Sequence, residues 1–145
     1  VLDGGEDKDD SDIRNLGIMI TEDYVEQEAE WLKEVVRSEE FVNAKTRIVF
    51  CHMQPGENGW HGQRTISKYL VPVLNEAGID VMLCGHIHKY KYYAPGTTSA
   101  NFPVICNPNA KRMDATVKSD NIKLEFVDQD KVIKTLNIKP GAYKK

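Results

Sequence analysis

Two histidines separated by a single residue follow a short apolar segment in the middle of the chain. They are His86 and His88, and Gly85 separates them from residues 79–84, which are apolar apart from Asp80. Imidazole is a frequent protein ligand for borderline metals such as zinc. If the chain stays extended past Gly85, residues two apart point to the same side, so both rings face one point. The spacing therefore indicates a metal site, with a polar turn residue and a surface residue as the alternative.

A third histidine strengthens the metal interpretation. His52 ends a second apolar segment, which begins at residue 47, and Pro55 and Gly56 soon after it enforce a loop. Parallel strands end at the same edge of a sheet, and open α/β sheets bind their ligands at that edge. The sequence therefore predicts that three imidazoles gather at one sheet edge.

The cysteines allow a different metal site. Cys51, Cys84 and Cys106 all lie within or at the end of apolar segments, which is typical of buried thiols, and their odd number rules out complete pairing within the chain. A mixed zinc site would combine Cys51 and Cys84 with the histidines that follow them, His52 and His86. Adjacent residues of a strand face opposite sides, which argues against this combination.

Helices and strands alternate around the first two histidine segments. Apolar residues recur every three to four positions over residues 21–37, which predicts an amphipathic helix. A second such pattern covers residues 66–77, and Pro72 within it predicts a kink or a break. This helix joins the strand that ends at His52 to strand 79–84 and completes a βαβ unit with a right-handed crossover.

Beyond His88 the pattern changes to short strands. Strands are predicted at residues 89–93, 103–107, 115–118, 122–128 and 131–138, and the last two form a hairpin. Apolar and polar residues alternate over 122–128, so one face of that strand is buried and the other is wet. The predicted fold class is α/β with α+β character, a βαβ unit followed by short, mostly antiparallel strands.

These motifs together resemble a known family. The pattern Gly85-His86-x-His88 after an apolar strand, with His52 and Pro55 upstream, is similar to the carboxy-terminal half of the calcineurin-like metallophosphoesterases, above all to their purple-acid-phosphatase-like branch. Further matches are Val1-Leu2-Asp3 with Gly5-Glu6-Asp7, Glu30-Trp31-Leu32, and Tyr90. The Asp-x-His, Gly-Asp-x-x-Asp and Gly-Asn-His motifs with which members of the family begin do not occur here.

The resemblance implies a fold and a domain. It implies half of a metallophosphoesterase αββα sandwich, with residues 1–139 as the carboxy-terminal part of that domain and residues 140–145 as a disordered tail. It also implies a partner, the amino-terminal half of the same domain. A half domain leaves a sheet edge uncovered, which would favour self-association.

The resemblance further implies hydrolysis of phosphoesters at two divalent metal ions, either Fe, Mn or Zn. His52 and His86 would bind the second ion and His88 the first. His61 would contact a phosphoryl oxygen or the leaving group of the phosphoester substrate, and a surface histidine is the alternative. No catalytic residue is assigned, since the bridging aspartate, the asparagine ligand and the leaving-group histidine belong to the absent motifs. The isolated chain is therefore predicted to be inactive and to hold little or no metal.

Composition limits the other function classes. The 145 residues carry a formal net charge of −3 with dispersed lysines, which argues against a nucleic acid or an anionic membrane as partner. No apolar run reaches the length of about 18 residues that a membrane span needs. The acidic residues 3–12 lack the ligand spacing of a calcium loop, which favours a solvated loop. The compartment stays open, although the resemblance is compatible with secretion or the periplasm.

Two functions of other classes remain as alternatives. The chain would be a non-catalytic binding module if its histidines held one structural zinc, and a purely structural α/β domain if they held no metal. Tight, stoichiometric zinc in the isolated chain would favour the first, and histidines lying far apart would favour the second.

Overall fold

A computed structural model describes residues 1–15 and 20–143 of the chain. A 3₁₀ turn at Ile13–Asn15 precedes α1 (Thr21–Val35), α2 (Glu39–Asn43), β1 (Ile48–Phe50), α3 (His61–Thr65), a π-helical turn (Ile66–Leu70), α4 (Val71–Glu76), β2 (Val81–Cys84), β3 (Lys91–Tyr93), β4 (Val104–Cys106), β5 (Arg112–Val117), β6 (Ile122–Asp128) and β7 (Lys131–Ile138). The mixed α/β class predicted from the sequence is confirmed.

The first sheet has four strands in the order β1-β2-β4-β3. β1, β2 and β4 are parallel, and β3 runs antiparallel to β4. The chain between β1 and β2 is helical, so the predicted βαβ unit is confirmed. The predicted break at Pro72 is also present, as the π-helical turn before α4. Proline has no N–H to donate to the preceding turn, so the helix changes its hydrogen-bonding pattern there.

The second sheet is an antiparallel meander of β5, β6 and β7. It packs on one face of the first sheet, while the helices pack on the other. β2 shows both contacts, since Met82 and Cys84 belong to the core beneath the helices and Val81 and Leu83 to the core between the sheets. The side chains of β2 thus alternate between the two cores, and the structure has three layers, one of helices and two of strands.

A buried aspartate holds the amino ends of the strands. Asp80 is fully buried, and its two carboxylate oxygens accept hydrogen bonds from the backbone N–H groups of Arg47, at 2.8 Å, and Gly141, at 2.6 Å. Tyr143 packs against both cores. Residues 140–143, predicted to belong to a disordered tail, form a turn on the protein, and residues 144 and 145 lie outside the described part.

The first sheet has an open edge at β1 within the described ranges. On that side β1 meets only a single parallel bridge between Leu2 and Cys51. An apolar cavity of about 270 Å³ adjoins it, between Trp31, Phe41 and Ile48. None of the helices described here is both long and apolar enough to cross a membrane.

Candidate metal-binding site at the sheet edge

The structure brings His52 and His86 together at the carboxyl ends of two neighbouring parallel strands. His52 follows β1 and His86 follows β2, and the N–H of Gly85 donates to the carbonyl oxygen of His52 at 2.9 Å. Nε2 of His52 lies 3.4 Å from Nδ1 of His86. The two rings are 5.2 Å apart between centroids and nearly perpendicular, at 82°. Two imidazole nitrogens thus face each other at this edge.

His88 does not join them. The chain is not extended past Gly85, because His86 and His88 both adopt left-handed backbone conformations, with φ of 65° and 55°. The N–H of Ile87 turns back to the carbonyl oxygen of Gly85 at 2.8 Å. The expectation of an extended segment with both rings on one side is therefore wrong. His88 is exposed and, within residues 20–143, forms no hydrogen bond or ring contact with the other two.

The acidic loop near the amino terminus supplies carboxylates to the same edge. Oδ1 of Asp7 lies 3.2 Å from Nε2 of His86, and Oδ1 of Asp9 lies 2.9 Å from Nδ1 of His61. The expectation of a merely solvated loop is wrong for Asp7, whose side chain is 28% exposed, whereas Asp9 contacts His61 and stays 63% exposed. Sequence reasoning missed them because nearly eighty positions separate Asp7 from His86. The only local signal is the spacing of two between the aspartates.

Asp10 in the same loop fixes it to the start of α1. Its carboxylate oxygens accept hydrogen bonds from the backbone N–H groups of Thr21, at 2.9 Å, and Glu22, at 3.2 Å. Burial alone would raise the pKa of Asp10, but the hydrogen bonds from Glu22 and Thr21 outweigh it and lower the pKa overall. Ile20, the residue before α1, provides no side-chain cap, so Asp10 caps the helix from a distance.

The glycine-rich loop after His52 ends in a fixed turn that presents Trp60. Oε1 of Gln63 accepts a hydrogen bond from the backbone N–H of Trp60 at 3.1 Å. A Cβ at Gly59 would lie within 1.7 Å of that oxygen, so only glycine leaves room for the bond. The indole of Trp60 is 58% exposed and meets the ring of His86 edge to face, 5.1 Å away. An aromatic surface therefore borders the two histidines.

His61 opens α3 beside Trp60 and is turned inward. The residue is only 8% exposed, and its backbone N–H donates to the carbonyl oxygen of Asp7 at 3.1 Å. Oδ1 of Asp9 contacts Nδ1 of His61, while Nε2 of His61 is buried and has no hydrogen-bond partner among the described residues. A surface role is therefore excluded for this histidine.

β4 adds a polar residue to the edge that sequence reasoning also missed. The backbone N–H of Asn107 donates to the carbonyl oxygen of Cys84 at 2.8 Å, which fixes Asn107 directly after β4. Its side-chain N–H group donates to the carbonyl oxygen of Lys111 at 2.9 Å, and its Oδ1 is buried without a partner in the described ranges. The edge of β1, β2 and β4 thus carries two histidines and an asparagine.

The two facing histidines fit a metal ion in part. Two ligands bound to one tetrahedral ion at about 2.0–2.1 Å lie about 3.4 Å apart, which matches the spacing of His52 Nε2 and His86 Nδ1. Across the described ranges, however, no three or more His, Cys, Asp or Glu side chains are placed to hold one ion. This edge therefore provides some of the ligands of a metal site.

The cysteines take no part in it. Cys51, Cys84 and Cys106 are buried in the core beneath the helices. Burial raises the pKa of the Cys51 thiol to about 12, and a hydrogen bond with Cys106, together with burial, raises the pKa of Cys84. Thiols bind metals as thiolates, so these two are unsuited to the mixed Cys/His zinc site.

Comparisons with known proteins place this edge in context. Among solved structures, the chain is similar to GAP50, the anchor in the inner membrane complex of Plasmodium, with 19% identity and a TM-score of 0.57. The match covers 79% of this chain and 42% of that one, so the chain spans about two fifths of GAP50. No curated protein matches. A model of the calcineurin-like phosphoesterase family matches residues 1–90, which include both the acidic loop and the histidines, and the chain therefore belongs to that family.

Proposed function

We propose that this chain provides part of a metal centre that hydrolyses phosphoesters, with His52 and His86 as two of its ligands. Phosphoester hydrolysis is the activity of the family to which the chain belongs. The observation that carries the proposal is the 3.4 Å separation of His52 Nε2 and His86 Nδ1 at the carboxyl ends of adjacent parallel strands. Such strand ends are where open α/β sheets bind their ligands.

Each residue of the edge has a separate part in the proposed site. Divalent metal ions, when bound, stabilise negative charge on the phosphoryl oxygens. His52 and His86 hold one ion through the two nitrogens that face each other. His61 contacts a phosphoryl oxygen or the leaving group once its Nε2, which is buried in this structure, turns towards the site, with Asp9 beside the opposite ring nitrogen. Trp60 borders the site with its exposed ring and limits the access of water on that side.

The remaining ligands have to come from elsewhere. We propose that a longer protein contributes them, since the three opening motifs of the family do not occur in this sequence and the chain spans about two fifths of GAP50. His88 binds the other of two ions once those ligands are present. Two neutral imidazoles cannot offset the charge of a divalent ion, so the chain alone is expected to bind metal weakly and to lack activity.

Metal titration of the full 145-residue chain tests the two ligands. Isothermal titration with Zn²⁺ should show one weak site, and His52→Ala and His86→Ala should each lower its affinity at least about tenfold because each removes a ligand. Asp120→Ala, at an exposed turn position outside the first sheet, is the control and should leave this affinity unchanged. Equal affinity in all four proteins would contradict the proposal.

Hydrolysis of para-nitrophenyl phosphate tests the reaction. A longer protein that contains this chain should hydrolyse the ester with Zn²⁺, Mn²⁺ or Fe, and His86→Ala should abolish turnover. The isolated chain should give none. Stoichiometric zinc that survives dialysis of the isolated chain, together with an inactive longer protein, would favour a non-catalytic binding module instead.

A further inference from the structure

We infer that Asp7 is a positioning residue that decides which nitrogen of His86 is available to a metal ion. In this assignment Nε2 of His86 carries the proton and donates a hydrogen bond to the Asp7 carboxylate. The lone pair is then on Nδ1, the nitrogen that faces His52. The inference rests on the proposed metal-binding role of the two histidines and adds the residue that orients one of them.

Each ring nitrogen of His86 has a different neighbour. Oδ1 of Asp7 lies 3.2 Å from Nε2, and Nε2 of His52 lies 3.4 Å from Nδ1. A neutral imidazole carries one N–H and one lone pair, whereas an ionised carboxylate only accepts hydrogen bonds. The nitrogen beside Asp7 is therefore the one that carries the proton. The lone pair then lies on the side of His52.

Burial makes the choice of tautomer consequential. The side chains of His86 and Asp7 are 10% and 28% exposed, and Nε2 and Oδ1 are both shielded from solvent, with no completed hydrogen bond to either atom within the described residues. The opposite tautomer would point a nitrogen lone pair at a buried carboxylate oxygen, which is unfavourable for both atoms. At 3.2 Å the two atoms are close but not aligned as a hydrogen bond, a loose geometry that is common for site residues before the ligand is bound.

The backbone of Asp7 is held independently of its side chain. Its carbonyl oxygen accepts the N–H of His61 at 3.1 Å, and its own N–H donates to Oε1 of Glu6 at 2.8 Å. A Cβ at Gly62 would lie 2.9 Å from the carbonyl oxygen of Glu6, so α3 packs directly on this part of the loop. Replacing the Asp7 carboxylate should therefore change the contact with His86 and leave the loop in place.

A carboxylate that orients a histidine ligand from behind is a recurrent feature of metal sites. The rival arrangement has Asp7 itself bind the ion, through the Nε2 side of His86. That arrangement requires the proton on Nδ1, so it predicts the opposite tautomer. The tautomer of His86 in the zinc-bound chain therefore separates the two arrangements, and that in the metal-free chain tests the contact with Asp7.

The test is the tautomer of His86 in the metal-free 145-residue chain. Long-range ¹H–¹⁵N correlation spectra should show the Nε2–H form in the native protein and a shift towards Nδ1–H in Asp7→Ala. Asp12→Ala, which removes an aspartate of the same loop that pairs with Arg14, should leave the tautomer unchanged. Asp7→Asn, which keeps an acceptor oxygen, should give an intermediate shift, and circular dichroism should show that each variant is folded.

Zinc titration of the same proteins completes the test. Asp7→Ala should lower the Zn²⁺ affinity about 10–100-fold, the usual effect of removing a partner of a ligand histidine. A native His86 that carries Nδ1–H, or an unchanged tautomer in both Asp7 variants, would overturn the inference. If the tautomer shifts in Asp7→Ala but the chain binds no zinc, the role of Asp7 in orienting the His86 ring is supported. Only the proposed function is then contradicted.

Discussion

The two sheets of this chain differ in strand length and in what lies at their ends. β1, β2 and β4 have only three or four residues each, and a histidine or an asparagine follows within two positions of the end of each. β6 and β7 have seven and eight residues, are joined by a tight turn and pair along nearly their whole length. None of the described residues of the second sheet belongs to the candidate site.

The difference shows where function and stability are located. In the first sheet, strands that neighbour one another are distant in sequence, so their ends collect side chains from several parts of the chain. In the second sheet, neighbours are local, and the strands contribute an inner apolar face to the core between the sheets. The outer face of β6 carries Lys123 and Glu125, which form an ion pair at 2.8 Å. The second sheet supports the first, and the chemistry lies at the strand ends of the first.

The largest expected effect tests whether the two sheets share one core. Phe126 on β6 is 1% exposed and meets the ring of Tyr90 edge to face at 4.9 Å. Phe126→Ala should lower the free energy of unfolding by about 3–5 kcal/mol, because it removes a large buried ring and leaves a cavity. Urea unfolding followed by circular dichroism should show one transition.

The control for this change is Ile133→Ala on the neighbouring strand β7. Ile133 is 57% exposed, so the variant should unfold within about 0.5 kcal/mol of the native protein. Two separate transitions in Phe126→Ala would contradict the shared core and would mean that each sheet unfolds by itself.

A second change tests the connection at the opposite ends of the strands. Asp80→Ala removes the carboxylate that accepts the N–H groups of Arg47 and Gly141 and leaves both without that partner. We expect a loss of about 3 kcal/mol in the free energy of unfolding, since each hydrogen bond to a charged group contributes about 1.5–3 kcal/mol. The midpoint of urea unfolding measures it.

Asp80→Asn keeps one acceptor oxygen and should lose about half as much. Asp120→Ala, at an exposed turn position, should unfold like the native protein. If Asp80→Ala also unfolded like the native protein, Asp80 would not connect the start of the first sheet to the turn that follows β7.

The smallest effect concerns the cap that joins the acidic loop to α1. Asp10→Ala should lower the free energy of unfolding by about 1 kcal/mol at neutral pH, because the N–H groups of Thr21 and Glu22 lose their acceptor. The pKa of Asp10 is lowered by folding, so its stabilisation is complete above the ordinary value of 3.8 and is lost as the pH falls through the folded pKa. The difference between the variant and the native protein should therefore shrink in acid.

Urea unfolding at pH 7 and in steps below 3.8 measures this difference. Asp120→Ala, at an exposed turn position, should show no difference at any pH. A difference between Asp10→Ala and the native protein that stayed constant with pH would mean that the charge of Asp10 does not contribute to the cap.

Much of the fold could be predicted from local patterns. The strands Ile122–Asp128 and Lys131–Ile138 agree with the predicted bounds because their alternation and the turn between them depend on neighbours in sequence. The strands around residues 91 and 104 are shorter than predicted, and β5 begins three positions earlier, since pairing with β6 extends it beyond the apolar signal.

The sequence by itself determined the order of helices and strands, the family, and the placement of His52 and His86 at the ends of parallel strands. These depend on periodicity, on glycine and proline, and on short motifs, all of which are local. Only the tertiary structure decided that His88 turns away, that Asp7 meets His86 and that Asp9 meets His61. The sign of φ at His86 and His88 and the path of the acidic loop depend on contacts between segments far apart in the chain, which no local pattern encodes.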